Sequence, residues 1–187
     1  MKAIILAAGR GERMGILTKK TPKPLLKFRG KPIIDYVLAS LPSEIDEIII
    51  VVKYRGRQIR EYLGKSYGKA KIRYVTGSNK GNAYSFLNTR KYLNNERFLL
   101  IYGDEVPNPV DVERCLAEKL SYLLYKSKNY WLMDGVMVLN TDIFNYETGE
   151  ENFKDMVDLF RADNNVSLVL SSDGFIGELN TPDKLYG

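Results

Sequence analysis

The residues best placed to do chemistry lie within the first 26 positions. A short apolar run, Lys2-Ala3-Ile4-Ile5-Leu6-Ala7-Ala8, leads straight into Gly9-Arg10-Gly11-Glu12-Arg13-Met14-Gly15, and Thr21-Pro22-Lys23-Pro24-Leu25-Leu26 follows soon after. The apolar run predicts a buried first strand. Glycines let the backbone approach a phosphate chain closely, and exposed amides with nearby Arg and Lys neutralise its charge. Such a loop suits a nucleoside triphosphate or a similar polyphosphate.

This turn differs from two commoner phosphate loops. The Walker loop ends in Gly-Lys-Ser/Thr, which this turn lacks. A dinucleotide fingerprint needs Gly-x-Gly-x-x-Gly opening directly into a helix. Here the third glycine, Gly15, falls one place late, and Pro22 and Pro24 disfavour helix in the residues before them.

A second chemical group sits far along the chain. Tyr102-Gly103-Asp104 ends an apolar stretch with a carboxylate. By themselves these residues serve a turn or a helix cap as well as a ligand site. Gly81-Asn82-Ala83-Tyr84-Ser85 follows a strand pattern and opens a helical one, where Asn82 suits a helix cap.

These motifs sit in an alternating pattern. Strands are expected over 2–8, 47–52, 71–75 and 97–102. Helices are expected over 32–41, over 57–63 (closed by Gly64), and over 82–93. Further on, 120–125, 136–139 and 166–170 suggest strands, and 152–161 a helix. Repeated strand–helix–strand units imply an α/β fold whose mostly parallel sheet carries helices on both faces. Ligands then bind beyond the carboxyl ends of the strands.

Composition narrows the classes. At 187 residues, with 44% hydrophobic and 27% charged residues, the chain is sized for one globular domain over 1–187. Strand one from residue 2 places the start of the fold at the N-terminus. No apolar run reaches transmembrane length and no signal-peptide layout is present, so the cytoplasm is expected, without membrane insertion. A net charge of +5 suits an anionic ligand. The basic residues are dispersed, which argues against nucleic acid. The absence of histidine excludes imidazole as base or ligand, and any metal must be held by carboxylate oxygens, which favours Mg2+. The single cysteine, Cys115, allows no internal disulfide and lies in a helix-like stretch, where it reads as core.

Ala3-Ile4-Ile5-Leu6-Ala7-Ala8-Gly9-Arg10-Gly11-Glu12-Arg13-Met14, Thr21-Pro22-Lys23-Pro24-Leu25-Leu26 and Gly30-Lys31-Pro32-Ile33-Ile34 together resemble the signature of the sugar-phosphate nucleotidylyltransferases. The likeness is dense to about residue 104, thins through the middle and returns near the C-terminus. It implies a three-layer fold with a mostly parallel sheet of nucleotide-diphospho-sugar transferase (Rossmann-like) type. The nucleotide-binding half would span 1–104 and a shortened acceptor-binding half 105–187. The implied reaction joins a nucleoside triphosphate to a sugar 1-phosphate, giving a nucleotide sugar and pyrophosphate.

The resemblance also implies roles. Arg13 and Lys23 would act on the phosphates, and Leu6, Ala7, Ala8, Gly9, Gly11 and Glu12 would line the nucleotide. Gly81 and Asn82 would lie under the base, with Thr76 as a weak base-reading position. Asp104 would bind magnesium together with Glu178, which stands where the family usually has Asp. Asp134 and Gly135, in Met133-Asp134-Gly135-Val136, resemble the sugar-hydroxyl contact. The family's Glu-Lys-Pro acceptor element is missing. Asn82 with Tyr84-Ser85 looks more like the branch that transfers CMP to phosphocholine or inositol phosphate. A non-catalytic nucleotide-sugar sensor and an ordinary dinucleotide-binding domain are the rival readings. The sequence sets no oligomeric state.

Overall fold

The computed structural model describes residues 1–126, 131–149, 151–172, 177–179 and 181–186. Side chains at 126, 131–134, 177 and 178 lie outside that description. The chain begins with β1 (Lys2–Ala7), 3-10 segments at Glu12–Lys19 and Lys23–Leu25, the short strands β2 (Lys27–Phe28) and β3 (Lys31–Pro32), and α1 (Ile33–Ala39). Next come β4 (Glu47–Val52), α2 (Gly56–Leu63), β5 (Ser66–Tyr67), β6 (Ala70–Thr76), α3 (Asn82–Leu87), a 3-10 turn at Arg90–Tyr92, and β7 (Arg97–Tyr102). The remainder contains β8 (Glu105–Val106), α4 (Pro109–Ala117), β9 (Ser121–Lys126), β10 (Trp131–Asn140), a 3-10 segment at Thr141–Tyr146, α5 (Phe153–Asp163), β11 (Ser167–Leu170), β12 (Gly177–Glu178) and α6 (Pro182–Tyr186).

Eight strands form the main sheet in the order β11-β9-β10-β7-β1-β4-β6-β5. β1 pairs in parallel with both β4 and β7, and β4 with β6. β10 runs antiparallel to β7 and β9, so the sheet is mixed but mostly parallel at its centre. The expected three-layer α/β arrangement is therefore present.

Period-two alternation explains the two core layers. Ala3, Ile5, Ile48, Ile50 and Val52 face one side, where Val37, Ile59 and Cys115 of α1, α2 and α4 cover them. Ile4, Ile49, Val51, Phe98 and Leu100 face the other, under α3 and α5. There Phe86 of α3 stacks on Phe144 at 4.9 Å and meets Phe153 at 4.5 Å. A third cluster matters most for the site. Met14, Leu26, Phe28, Ile33, Val106, Leu179 and Leu185 pack together, so the C-terminal strand and helix close over the N-terminal signature.

The helix expected over 82–93 ends at Leu87 and resumes only as the Arg90–Tyr92 turn. Local side-chain bonds compete with the helix there. The Thr89 hydroxyl donates to the Phe86 carbonyl at 2.7 Å, and Asn88 Nδ2 donates to the Thr76 carbonyl at 2.9 Å. The strand expected over 136–139 is the inner part of the ten-residue β10. Cys115 is fully buried in α4, as a core residue should be. Among the described residues no helix is long and apolar enough to cross a membrane.

Candidate active site

A cleft of about 850 Å³ opens at the carboxyl ends of β1, β4, β6 and β7. Its lining includes Leu6 to Arg13, Lys23, Gly81, Asn82 and Asp104. Ten of the eleven residues expected around the nucleotide are thus gathered in one place, with Asp104 beside them. Five cations (Arg10, Arg13, Lys23, Lys53, Arg55) line it against two carboxylates (Glu12, Asp104). Among the described residues that balance suits a polyanion.

The glycine loop owes its shape to specific local causes. Gly11 has φ +64° and Gly15 φ +56°, values that L side chains rarely adopt. A Cβ at Gly11 would stand 3.0 Å from Thr18 Cγ2 and 3.1 Å from Lys23 Cβ. The loop therefore closes tightly onto the lysine only because that position is glycine. Gly103 does the same service for the other wall, since a Cβ there would come within 2.9 Å of Ala7 Cβ.

Lys23 is the most unusual group in the site. It is only 4% exposed, although lysine is almost never fully buried without a partner. Pro22 is extended (φ −66°, ψ 145°) and Pro24 stands just inside the 3-10 turn, so the lysine backbone has little freedom. Its Nζ donates to Asp104 Oδ2 at 2.5 Å. The Asp104 side chain remains 31% exposed to the cleft, and no bond to Oδ1 occurs among the described residues. The two groups singled out from opposite ends of the first 104 residues are in contact.

Asp104 and Glu178 approach through the backbone. β12 pairs antiparallel with β8, placing Glu178 opposite Glu105, and the Leu179 amide donates to the Asp104 carbonyl at 3.4 Å. The Glu178 side chain lies outside the described residues, as does that of Asp134. Magnesium is commonly held by one or two carboxylates with waters and substrate phosphates. An open carboxylate oxygen facing a phosphate-sized cleft fits that ion. Among the described residues no group of three metal-ligating side chains forms a ready cage.

The remaining expected residues are placed differently. Thr76 ends β6 and is outside the cleft lining, with its carbonyl engaged by Asn88. Gly135 is also outside that lining. Its amide donates to Glu105 Oε2 at 2.8 Å, and a Cβ there would meet the Tyr102 ring at 2.5 Å. Asn82 does not cap its own helix but joins Asn152, the N-cap of α5, in satisfying that helix's first amides. Its Oδ1 accepts from the Phe153 amide at 2.7 Å, at the start of α5, while α3 has Gly81 at its N-cap position. Gly81 (φ +104°) lies against the Glu151 backbone, too close for any side chain.

Sequence reasoning missed Lys53, Tyr54, Arg55, Ser78 and Ser85, which also line the cleft. The signal was available. Residues just past the end of β4, beside the switch between β1 and β7, are where ligands of such sheets bind. Glu105 was missed as well. It is a 3%-exposed carboxylate beside Asp104, and nothing in its local sequence marks it.

Comparison with known proteins shows the fold and the family. A solved inositol-1-phosphate CTP transferase from T. maritima superposes with a TM-score of 0.78 at 19% identity, covering 100% of this chain and 91% of that one, which shows a shared fold. The N-acetylmuramate alpha-1-phosphate uridylyltransferase of Neisseria meningitidis is 38% identical over 139 residues, 72% of this chain and 59% of that protein. The bifunctional protein GlmU of Methanocaldococcus jannaschii is 35% identical over 129 residues, 69% of this chain and 31% of that protein. The chain thus spans less than two thirds of either curated relative. Residues 3–122 match the MobA-like NTP transferase domain, and the chain belongs to that family of sugar-phosphate nucleotidylyltransferases.

Proposed function

We propose that this protein joins a nucleoside triphosphate to a sugar 1-phosphate, giving a nucleotide sugar and pyrophosphate, with magnesium required. The observation that carries the reading is the buried Lys23, paired with Asp104 at the mouth of the glycine loop. A desolvated cation held at a polyanion cleft serves charge stabilisation, a dominant source of catalysis in phosphoryl chemistry.

The acceptor's phosphate oxygen attacks the α-phosphorus in line. A new P–O bond forms as the bond to the β-phosphate bridging oxygen breaks, and pyrophosphate leaves with the electron pair. The nucleophile is already charged near neutral pH, so no general base is needed, consistent with a chain without histidine. Lys23 holds the α-phosphate and the acceptor phosphate together against their repulsion. Arg13 binds the β- and γ-phosphates and favours the departing pyrophosphate. The amides of Gly9 to Gly11 cradle the chain. Asp104 and Glu178 would hold Mg2+, which when bound neutralises phosphate charge. Asp134 and Gly135 would meet the acceptor.

The base is read as a pyrimidine. Asn82 gives its oxygen to Phe153, so its Nδ2 hydrogens point elsewhere and suit a base carbonyl beside Gly81. A phosphorylated alcohol is the second acceptor class, favoured by the Asn82-x-Tyr84-Ser85 pattern and by the fold shared with an inositol-1-phosphate CTP transferase. Pyrophosphate release, measured with CTP, UTP, dTTP, ATP and GTP against sugar 1-phosphates and phosphorylated alcohols, tests all of this. A steep pyrimidine preference and strict dependence on the acceptor are expected. Release without an acceptor, or a purine preference, refutes it.

A further inference from the structure

We propose that Tyr54 is a positioning residue that holds the glycine-rich phosphate loop in its binding shape from outside the loop. The inference rests on the reading of the cleft as a triphosphate site.

The loop has little of its own to keep it ordered. Only Met14 and Thr18 are buried within Glu12–Lys19, Gly15 breaks the helical path (φ 56°, ψ −121°), and Ile16 is 76% exposed. Segments with few buried contacts sample open states readily. An open loop would have to be ordered each time nucleotide bound, at a cost in affinity.

The turn after β4 supplies the missing restraint. The Tyr54 amide faces the Ala8 carbonyl at 3.4 Å, where the loop begins. Its hydroxyl donates to the Thr18 carbonyl at 2.9 Å, near where the loop ends. Between these points its ring lies under the Arg10 guanidinium at 6.0 Å and beside that of Arg55 at 5.4 Å. Thr18 passes the restraint inward, because its hydroxyl donates to the Gly11 carbonyl at 3.0 Å. Gly11 in turn packs on Lys23.

Two neighbours extend the same clasp. Arg55 Nη2 donates to the Lys19 carbonyl, and Gln58 Nε2 donates to the Lys20 carbonyl at 3.0 Å. Three consecutive carbonyls, 18 to 20, are thus fastened by side chains from the turn after β4 and the first turn of α2. Tyr54, Arg10 and Arg55 also line the cleft. A tie whose only role was stability would have no reason to bracket the phosphate loop at both ends.

The test uses the full chain with Tyr54→Phe, which removes the hydroxyl and keeps the ring. Loss of one such hydrogen bond corresponds to about fivefold in an equilibrium. The KM for the triphosphate should rise by about fivefold, with a much smaller change in kcat and in acceptor KM. Without nucleotide, trypsin should cut after Lys19 and Lys20 about fivefold faster than in the wild type. Tyr54→Leu, which also removes the shelf under Arg10, should do more. Gln58→Ala, whose side chain only half-enters the surface, should give the same signature more weakly, and it reports even if the Tyr54 variants fold poorly. A lowered melting temperature with unchanged KM and unchanged cleavage assigns Tyr54 a structural role only and overturns the proposal. If the wild type neither turns over nor is protected from trypsin by any triphosphate, the functional reading fails. The nucleotide-free cleavage rates still decide the clasp.

Discussion

The two halves of this chain build their parts of the protein by different means. In the first 104 residues, β1, β4, β6 and β7 run parallel and bring their carboxyl ends to one edge, where a cleft forms. Beyond residue 104, β10 runs antiparallel to both neighbours, and its pairing with β9 shifts register between Met133 and Met137. Among the described residues the cleft lining stops at Asp104. The later half instead supports the cleft from behind, through Phe153 on Asn82, Glu151 against Gly81, and Gly135 against Tyr102. The lesson is a division of labour. The cleft is lined by the repeated carboxyl ends of parallel strands, and the later half is assembled by antiparallel pairing and long-range contacts.

Substitutions can break that division. The largest effect should come from Asp104→Asn. A neutral amide is a poor magnesium ligand, and loss of a metal's charge stabilisation is worth several kcal/mol, on the order of a thousandfold in rate. Turnover near wild type at saturating magnesium would remove Asp104 from the metal site. Lys23→Ala comes next. One electrostatic contact of this kind is worth on the order of 3 kcal/mol, or roughly a hundredfold in kcat. Its melting temperature should change little, since removing one partner leaves Asp104 able to reach solvent from the cleft. A variant that melts normally and keeps its rate would remove Lys23 from the chemistry.

Gly135→Ala probes the other half. The added Cβ meets the Tyr102 ring and Glu105, and such overpacking costs about 1–3 kcal/mol. Acceptor KM should rise more than triphosphate KM. The reverse result would show that the two halves do not divide the substrates in this way. The smallest effect belongs to Asn82→Ala. It leaves the Phe153 amide without its acceptor, a loss of about 1 kcal/mol of stability in chemical denaturation. The discrimination between pyrimidine and purine triphosphates should also fall. Unaltered discrimination would leave Asn82 as a partner of α5 alone.

The contrast between the halves also explains what was legible in the sequence. β1, β4 and β7 announce themselves because a strand buried on both faces reads as a run of apolar residues, whereas β6 mixes buried with exposed positions. Lys23 and Asp104 stand out because prolines flank one and an apolar strand ends in the other. Tyr54 and Arg55 were marked only by their place just past the end of β4, not by residue type. Their importance arises only when β4 lies beside β1, so that a turn reaches across to Thr18 and Lys19. Asn82 was expected to cap its own helix, but its oxygen serves the first amide of a helix that starts at Phe153, 71 residues away. The bulge in β10 and the pairing of β8 with β12 depend on tertiary packing, which no local pattern records.

The central claim is transfer of the nucleotidyl group itself, and following the label of the triphosphate tests it most directly. With CTP or UTP labelled at the α-phosphorus, a sugar 1-phosphate and magnesium, the α-label should appear in a nucleotide sugar. With γ-labelled triphosphate the label should leave as pyrophosphate in equal amount. Lys23→Ala should slow both together by roughly a hundredfold. A γ-label found on the acceptor, or released as inorganic phosphate while the α-label stays in nucleoside diphosphate, would contradict the account.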